Sequence, residues 1–378
     1  MNRRDMLSAS AAFAATACSP RISLGPEPVA AKQIADDIDR LISEAMRQYK
    51  IPGLSLAIVK SGRVTKAAAY GLTDTEFEIP ATDSTVYQLA SVSKIFTSVG
   101  VMLLAARGQL NIDSPISDYI KEAPESWSGI RVHHLLEHTS GLPGSLEGIP
   151  EFAVEERERS DQEKFVDAAK LDYFTTAERL AYVVRLPLTT VPGEKWSYNQ
   201  IGYILTGIII ERVTGLPFED YMRERVLTPL GMASARYGDS RVVVPGRRQV
   251  AYTRQYGPLQ NWLWPYSTSD YPAAGLNTTA RDVAKLFVAL DGDLLPANLR
   301  DRMWTQTTTA STPPRYALGW TVGTVAGRKV VGHEGGGCSW VGHVPSERLT
   351  AIVLCNLAGS GADLSNKVLL RLLNPDAG

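Results

Sequence analysis

Cysteine is scarce in this chain: three in 378 residues, at Cys18, Cys338 and Cys355. No Cys-x-x-Cys pair occurs, which argues against a zinc ribbon or a thioredoxin-type site. Cys338 and Cys355 fall in strand-like C-terminal segments. A bridge between them is compatible with an oxidising compartment, but the spacing does not demand one. Excess charge is also missing. The formal net charge is −1, so composition favours neither nucleic acid nor an anionic membrane as partner. The apolar stretch Met6–Ala17 is too short to span a bilayer. A Gly-x-Ser-x-Gly elbow is absent, which disfavours an α/β-hydrolase esterase, and no internal repeat is visible. What is present is ordinary for a globular protein: 44% hydrophobic and 21% charged residues. The length exceeds one compact core, so two domains, or one domain with an insertion, are expected.

The N-terminus has the pattern of an export signal. Arg3-Arg4 forms a twin-arginine pair, with Leu7 close behind and an Ala-rich stretch after it. Ala15-Thr16-Ala17 fits a small-residue cleavage site, and a periplasmic protein is expected. Cys18 follows directly, so lipid attachment there is a second reading; its lipobox is imperfect, with Ala15 where Leu is usual. A disordered basic N-terminus is the plain alternative. Residues 1–29 are therefore set apart from the fold.

Apolar spacing predicts a helix over residues 32–49, through Ile34, Ile38, Leu41, Ile42, Ala45 and Met46. Pro52-Gly53 stops it. Leu54–Lys60 and Arg63–Tyr70 then read as a hairpin turning at Ser61-Gly62. A helix from Ser91 to Ala106 follows. The middle of the chain is helix and loop, with helices at Val132–His138, Ala177–Val184 and Ile201–Val213 and one entered at Pro217. Glu155–Lys164 reads as a solvated charged segment. The last residues return to strands, at Ala317–Val322, Lys329–Val331, Trp340–Val344 and Thr350–Cys355, before a helix at Ala362–Leu373. The expected architecture is α+β. Residues 30–90 and 233–378 share one antiparallel sheet flanked by the terminal helices, residues 91–232 form an inserted helical domain, and the active site lies between them.

Ser91-Val92-Ser93-Lys94 carries the first chemical signal. A hydroxyl attacks only when something takes its proton. Residues i and i+3 share a helix face, so Lys94 reaches Ser91. Apolar surroundings would lower the lysine pKa, and the helix N-terminus favours developing negative charge. Ser-x-x-Lys alone is weak, and the plain alternative is a capping serine with a surface lysine. The flanking residues extend it. Leu89 to Thr97, His138-Thr139-Ser140-Gly141-Leu142-Pro143, the Pro192-to-Tyr203 segment, Val213-Thr214-Gly215, Pro229-Leu230-Gly231-Met232, Ala274-Gly275-Leu276 and Gly332-His333-Glu334-Gly335-Gly336 occur in order. Together they resemble the serine β-lactamase and penicillin-binding-protein superfamily, nearest its class C β-lactamase and family VIII esterase branch. The resemblance spans roughly residues 35–375 and implies the β-lactamase/transpeptidase-like fold.

The resemblance assigns further residues. Tyr198 becomes the second proton-transfer group, with its phenol pKa lowered by Lys94; the alternative is a buried core tyrosine. Gln200 stands where the family pattern Tyr-x-Asn has Asn, so a substrate-binding amide is kept but lengthened. A shifted register, Ser197-Tyr198-Asn199, resembles the Ser-x-Asn motif of other branches. His333 replaces a common lysine, which weakens the case for a penicillin carboxylate as partner. Gly335 and Gly336 would edge the substrate, the Gly336 N–H joining that of Ser91 in an oxyanion hole; a tight bend between strands is the plain reading. The aromatic stretch Tyr252–Tyr271, with Tyr256, Trp262, Trp264 and Tyr266, either packs a long loop or lines an acyl pocket.

The implied function is hydrolysis of an ester or amide through an acyl-enzyme, with no cofactor or metal. The partner is then a small ester, lactam or peptide. A D-amino-acid peptidase and a slow penicillin-binding protein are the alternatives. A remoter one is a metallopeptidase, because His134-Leu135-Leu136-Glu137-His138 matches His-x-x-Glu-His.

Overall fold

The computed structural model describes residues 29–143, 176–238, 248–262, 268–306 and 316–374, with side chains from Asp36 onward. The export segment with Arg3, Arg4 and Cys18, the charged stretch Glu155–Lys164, and Trp264 and Tyr266 lie outside the described residues.

Helix α1 spans Val29–Tyr49 and leads into strands β1, Gly53–Lys60, and β2, Arg63–Asp74. Ser61 and Gly62 join these strands with φ of +51° and +74°, the backbone that a tight hairpin needs. A short strand β3, Ile79–Pro80, follows. The principal helices of the middle are α2, Ser93–Ala106, α3, Gln200–Thr214, and α4, Ala280–Leu290. The chain then returns through β4, Thr321–Val325, β5, Arg328–Gly335, β6, Ser339–Val344, and β7, Leu349–Cys355, and ends in α5, Leu364–Leu373.

These strands form one sheet in the order β3-β2-β1-β7-β6-β5-β4. The two ends of the chain meet at its centre, where β1 runs antiparallel to β7 with Leu54 opposite Cys355 and Lys60 opposite Leu349. Strand residues alternate faces. Leu54, Leu56 and Ile58 pack with Val330, Trp340, Ala351 and Val353 in one core, which includes Ile38 and Ile42 of α1 and Val368 and Leu369 of α5. Ala57, Val59, Val331, Val341, Ile352 and Leu354 belong to the other, with α2, α3 and α4. Both faces of β1 are therefore covered, which explains its nearly unbroken apolar run. The terminal helices are tied together by Lys367 Nζ donating to Tyr49 Oη at 2.8 Å and by an Arg371–Asp37 ion pair.

Cys338 and Cys355 are both buried free thiols. Their backbones bond directly, Cys355 N–H donating to Cys338 O at 2.7 Å, while the thiols turn to the carbonyls of Gly335 and Leu357. No single helix among the described residues is long and apolar enough to cross a membrane.

One strand lies further along than its apolar pattern predicts. Ala317–Trp320 is not strand; it is a buried turn closed by Ala317 N–H on Trp320 O at 2.8 Å. Gly319, at φ +83°, sits where a Cβ would come within 2.8 Å of Ser98 Cβ and 3.1 Å of the Tyr203 hydroxyl. The turn plugs the space between α2 and α3, so its apolar residues are buried by helices instead of by a sheet. A short apolar run signals burial and does not say against what.

Candidate active site

Ser91 lies in a tight turn, Ala90–Val92, that opens directly into α2. Ala90 has φ +45°, a left-handed backbone that costs a residue with a Cβ about 1–2 kcal/mol. The turn is held from both sides. Leu89 N–H donates to Leu276 O at 2.9 Å, and Ser339 Oγ donates to Leu89 O at 2.7 Å. Strain of this kind persists only where the surroundings over-determine it.

Helix α2 is buried on all sides from Ser93 to Leu104, so its polar residues must find partners inside. Ser93 Oγ accepts from Leu276 N–H at 3.1 Å, and Thr97 Oγ1 donates to Pro272 O at 2.7 Å. Lys94 is wholly buried. Its Nζ reaches three acceptors: Ser91 Oγ at 3.2 Å, Gln200 Oε1 at 2.9 Å and Ala273 O at 3.0 Å. Burial lowers its pKa to about 7, against the opposing pull of the Asp270 and Glu334 carboxylates. A large fraction is thus neutral amine at neutral pH, with a lone pair to offer Ser91.

Tyr198 approaches from the loop before α3. Its hydroxyl lies 2.8 Å from Ser91 Oγ, and Lys94 Nζ sits 4.9 Å from the centre of its ring. The next residue, Asn199, caps α3 by accepting from Gly202 N–H at 2.7 Å, and its amide donates to Leu142 O and Pro143 O. The phenol pKa is raised, chiefly by burial and further by the Glu334 charge, while the Ser91 hydrogen bond opposes this. The expected lowering by Lys94 is not found; desolvation of the phenolate is the largest influence on this group.

The end of β5 forms the third wall. At Gly335 a Cβ would lie 2.3 Å from Leu89 O and 3.1 Å from Ser91 N, so only glycine lets the strand come this close to the nucleophile turn. Gly336 follows with φ +56°. Ser91, Lys94, Tyr198, Gln200 and Gly335 therefore meet in one place, from segments far apart along the chain. The Beta-lactamase family profile matches residues 38–374. The chain belongs to the beta-lactamase family.

Among related proteins, esterase EstB of Burkholderia gladioli is 31% identical over 208 residues. That alignment covers 53% of this chain and 51% of EstB, so the matched stretch is about half the length of that relative. Among solved structures, the octameric penicillin-binding protein homologue from Pyrococcus abyssi has a TM-score of 0.76 at 25% identity, covering 90% of this chain and 77% of that one. The D-amino acid amidase of Ochrobactrum anthropi has a TM-score of 0.74 at 24% identity, over 90% and 98% of the two chains. These likenesses agree with the sheet built from both chain ends.

Two further residues of this beta-lactamase-family site were expected at the substrate. The Gln200 carbonyl is turned to Lys94 and holds the amine, which leaves the NH2 end of the amide for the expected contact with substrate. His333 was expected to face substrate, yet it is buried with both ring nitrogens engaged. Nδ1 donates to Glu334 O at 2.5 Å, which leaves Nε2 to accept from the Tyr316 hydroxyl at 2.7 Å. Burial, aided by the Lys94 charge, takes its pKa to about 3, so it is neutral.

The His-x-x-Glu-His segment does not make a metal-binding face. Its helix ends at Leu136, and His138 lies beyond it at φ +60°. His134 Nδ1 accepts from Arg131 N–H, and the buried Glu137 pairs with Arg302 and His133. Among the described residues no group of three His, Cys, Asp or Glu is placed to hold a metal ion. In the aromatic stretch, Tyr252 is buried and its hydroxyl accepts from Thr75 N–H at 2.9 Å, while Tyr271 stacks on Tyr237. These two pack the fold. The Ala273 carbonyl and Tyr316 escaped sequence analysis: a backbone acceptor leaves no residue signature, and Tyr316 stands outside every motif.

Proposed function

We propose that the protein is a serine hydrolase that cleaves small esters through an acyl-enzyme. The observation that carries this is the meeting of Ser91 Oγ with Lys94 Nζ and the Tyr198 hydroxyl. Neutral Lys94 takes the Ser91 proton as Oγ bonds to the ester carbonyl carbon. The oxyanion rests on the N–H groups of Ser91 and Gly336. Tyr198, a neutral phenol, gives its proton to the leaving alkoxide and regains one from the Lys94 ammonium. Water then attacks the acyl-enzyme, with the proton steps reversed and Ser91 restored.

Esters are favoured over lactams because the residue in the place of the usual lysine, His333, is neutral and enclosed. The likeness to EstB supports the same choice. Purified protein should turn over a short-chain aryl ester faster than nitrocefin or a D-Ala peptide, and Ser91→Ala should abolish turnover without unfolding the protein. Activity surviving in Ser91→Ala would end the assignment. A persistent β-lactam adduct by intact mass, without ester turnover, would mark a slow penicillin-binding protein instead.

Export to the periplasm is part of the proposal, supported by Arg3-Arg4 and Ala15-Thr16-Ala17. An Arg3→Lys, Arg4→Lys double variant should accumulate in the cytoplasm. Mass measurement of the exported protein separates cleavage before Cys18 from lipid attachment to it.

A further inference from the structure

Tyr198 belongs to a loop, yet its phenol must stay within bonding reach of Ser91. One residue grips the chain on both sides of it. The carbonyl of His138 accepts from Ser197 N–H at 2.8 Å, and its Nδ1 accepts from Asn199 N–H at 3.0 Å. The imidazole also lies against the phenol ring, with centres 4.4 Å apart. The left-handed backbone of His138, φ +60°, lets its carbonyl and its ring address the same strand of chain. Thr139 N–H, donating to His134 O at 2.9 Å, fixes that turn to the helix before it.

The chemistry of this grip is specific. Nδ1 must keep its lone pair, so the neutral ring carries its proton on Nε2. Nε2 is buried without a hydrogen-bond partner, among the rings of Trp196, Tyr198, Tyr203 and Tyr316. A residue present only to fill space would carry no such orphan. The Nδ1 acceptor is the function that offsets it. Burial, with Lys94 and His333 nearby, keeps the ring uncharged.

We propose that His138 is a positioning residue that sets the reach of the Tyr198 phenol and so governs proton delivery to the leaving group. This rests on the ester-hydrolase reading above. The readout is leaving-group dependence: nitrophenoxide departs unaided, whereas ethoxide needs a proton. His138→Ala removes the acceptor. His138→Asn restores one at the Nδ1 position and tolerates a left-handed backbone. His138→Ala should lower kcat/KM by about 100-fold for an ethyl ester and by less than about tenfold for the matching nitrophenyl ester. His138→Asn should recover the ethyl ester rate to within about tenfold of the unmodified protein. Tyr198→Phe should show the same bias toward the nitrophenyl ester. Where His138→Ala does not fold, His138→Gln, whose acceptor falls at the Nε2 position, takes its place and should behave as Tyr198→Phe does. Equal losses on both esters, or no rescue by Asn in variants with normal thermal unfolding, would overturn the role of His138 alone. An unmodified protein inactive on both esters would overturn the ester reading and this proposal together.

Discussion

The two flanks of Ser91 are both drawn out of water, Lys94 wholly and Tyr198 in large part, and they titrate in opposite directions. On the α2 side Lys94 falls to about 7; on the loop side the Tyr198 phenol rises. One cause serves both. Burial penalises whichever form is charged, which for lysine is the protonated form and for tyrosine the deprotonated one. A dry site therefore prepares a base with a free lone pair and an acid with its proton, bonded to the same oxygen. The flanks also differ in how they are held. Lys94 is fixed by its own side-chain bonds to three separate segments, whereas Tyr198 is fixed through the backbone of its neighbours.

The largest test of this asymmetry is loss of the base. Lys94→Met should lower kcat/KM by about 10³–10⁴-fold for alkyl and aryl esters alike, because every substrate needs the Ser91 proton removed. Comparable rates in that variant would hand the role of base to Tyr198. Loss of the acid is smaller and selective. Tyr198→Phe should cost about 10²-fold on alkyl esters and less on nitrophenyl esters, measured by steady-state kinetics.

The pH profile should show an acid limb near 7 in kcat/KM, rising with pH as the ammonium gives up its proton. Gln200→Glu sharpens the point. A carboxylate beside Nζ favours the ammonium, so the limb should move to higher pH and the rate at pH 7 should fall by up to about tenfold. A limb that stays in place would show that another group titrates there.

The sequence made much of this legible, wherever the information was local. Ser91 and Lys94 are three residues apart, and a helix brings such residues together whatever surrounds it. The alternation of Leu54, Leu56 and Ile58 with Ala57 and Val59 places the two sheet faces, and Ser61-Gly62 marks the hairpin. Ala317–Trp320 misled because a buried turn and a buried strand share an apolar run. Gln200 was only half legible, because an amide has two ends and its neighbours decide that the carbonyl goes to Lys94. His138 looked like half of a metal motif until the helix proved to stop at Leu136.

Residue order and spacing by themselves determined the strand and helix pattern, the family and the Ser91–Lys94 pair, because periodicity and near-neighbour geometry are properties of the local chain. The tertiary structure alone decided the protonation states, the enclosure of His333 and the grip of His138 on the Tyr198 loop. Desolvation sums over every atom around a group, and for Lys94 those atoms include Ala273 and Gln200, which the chain brings together only when it folds.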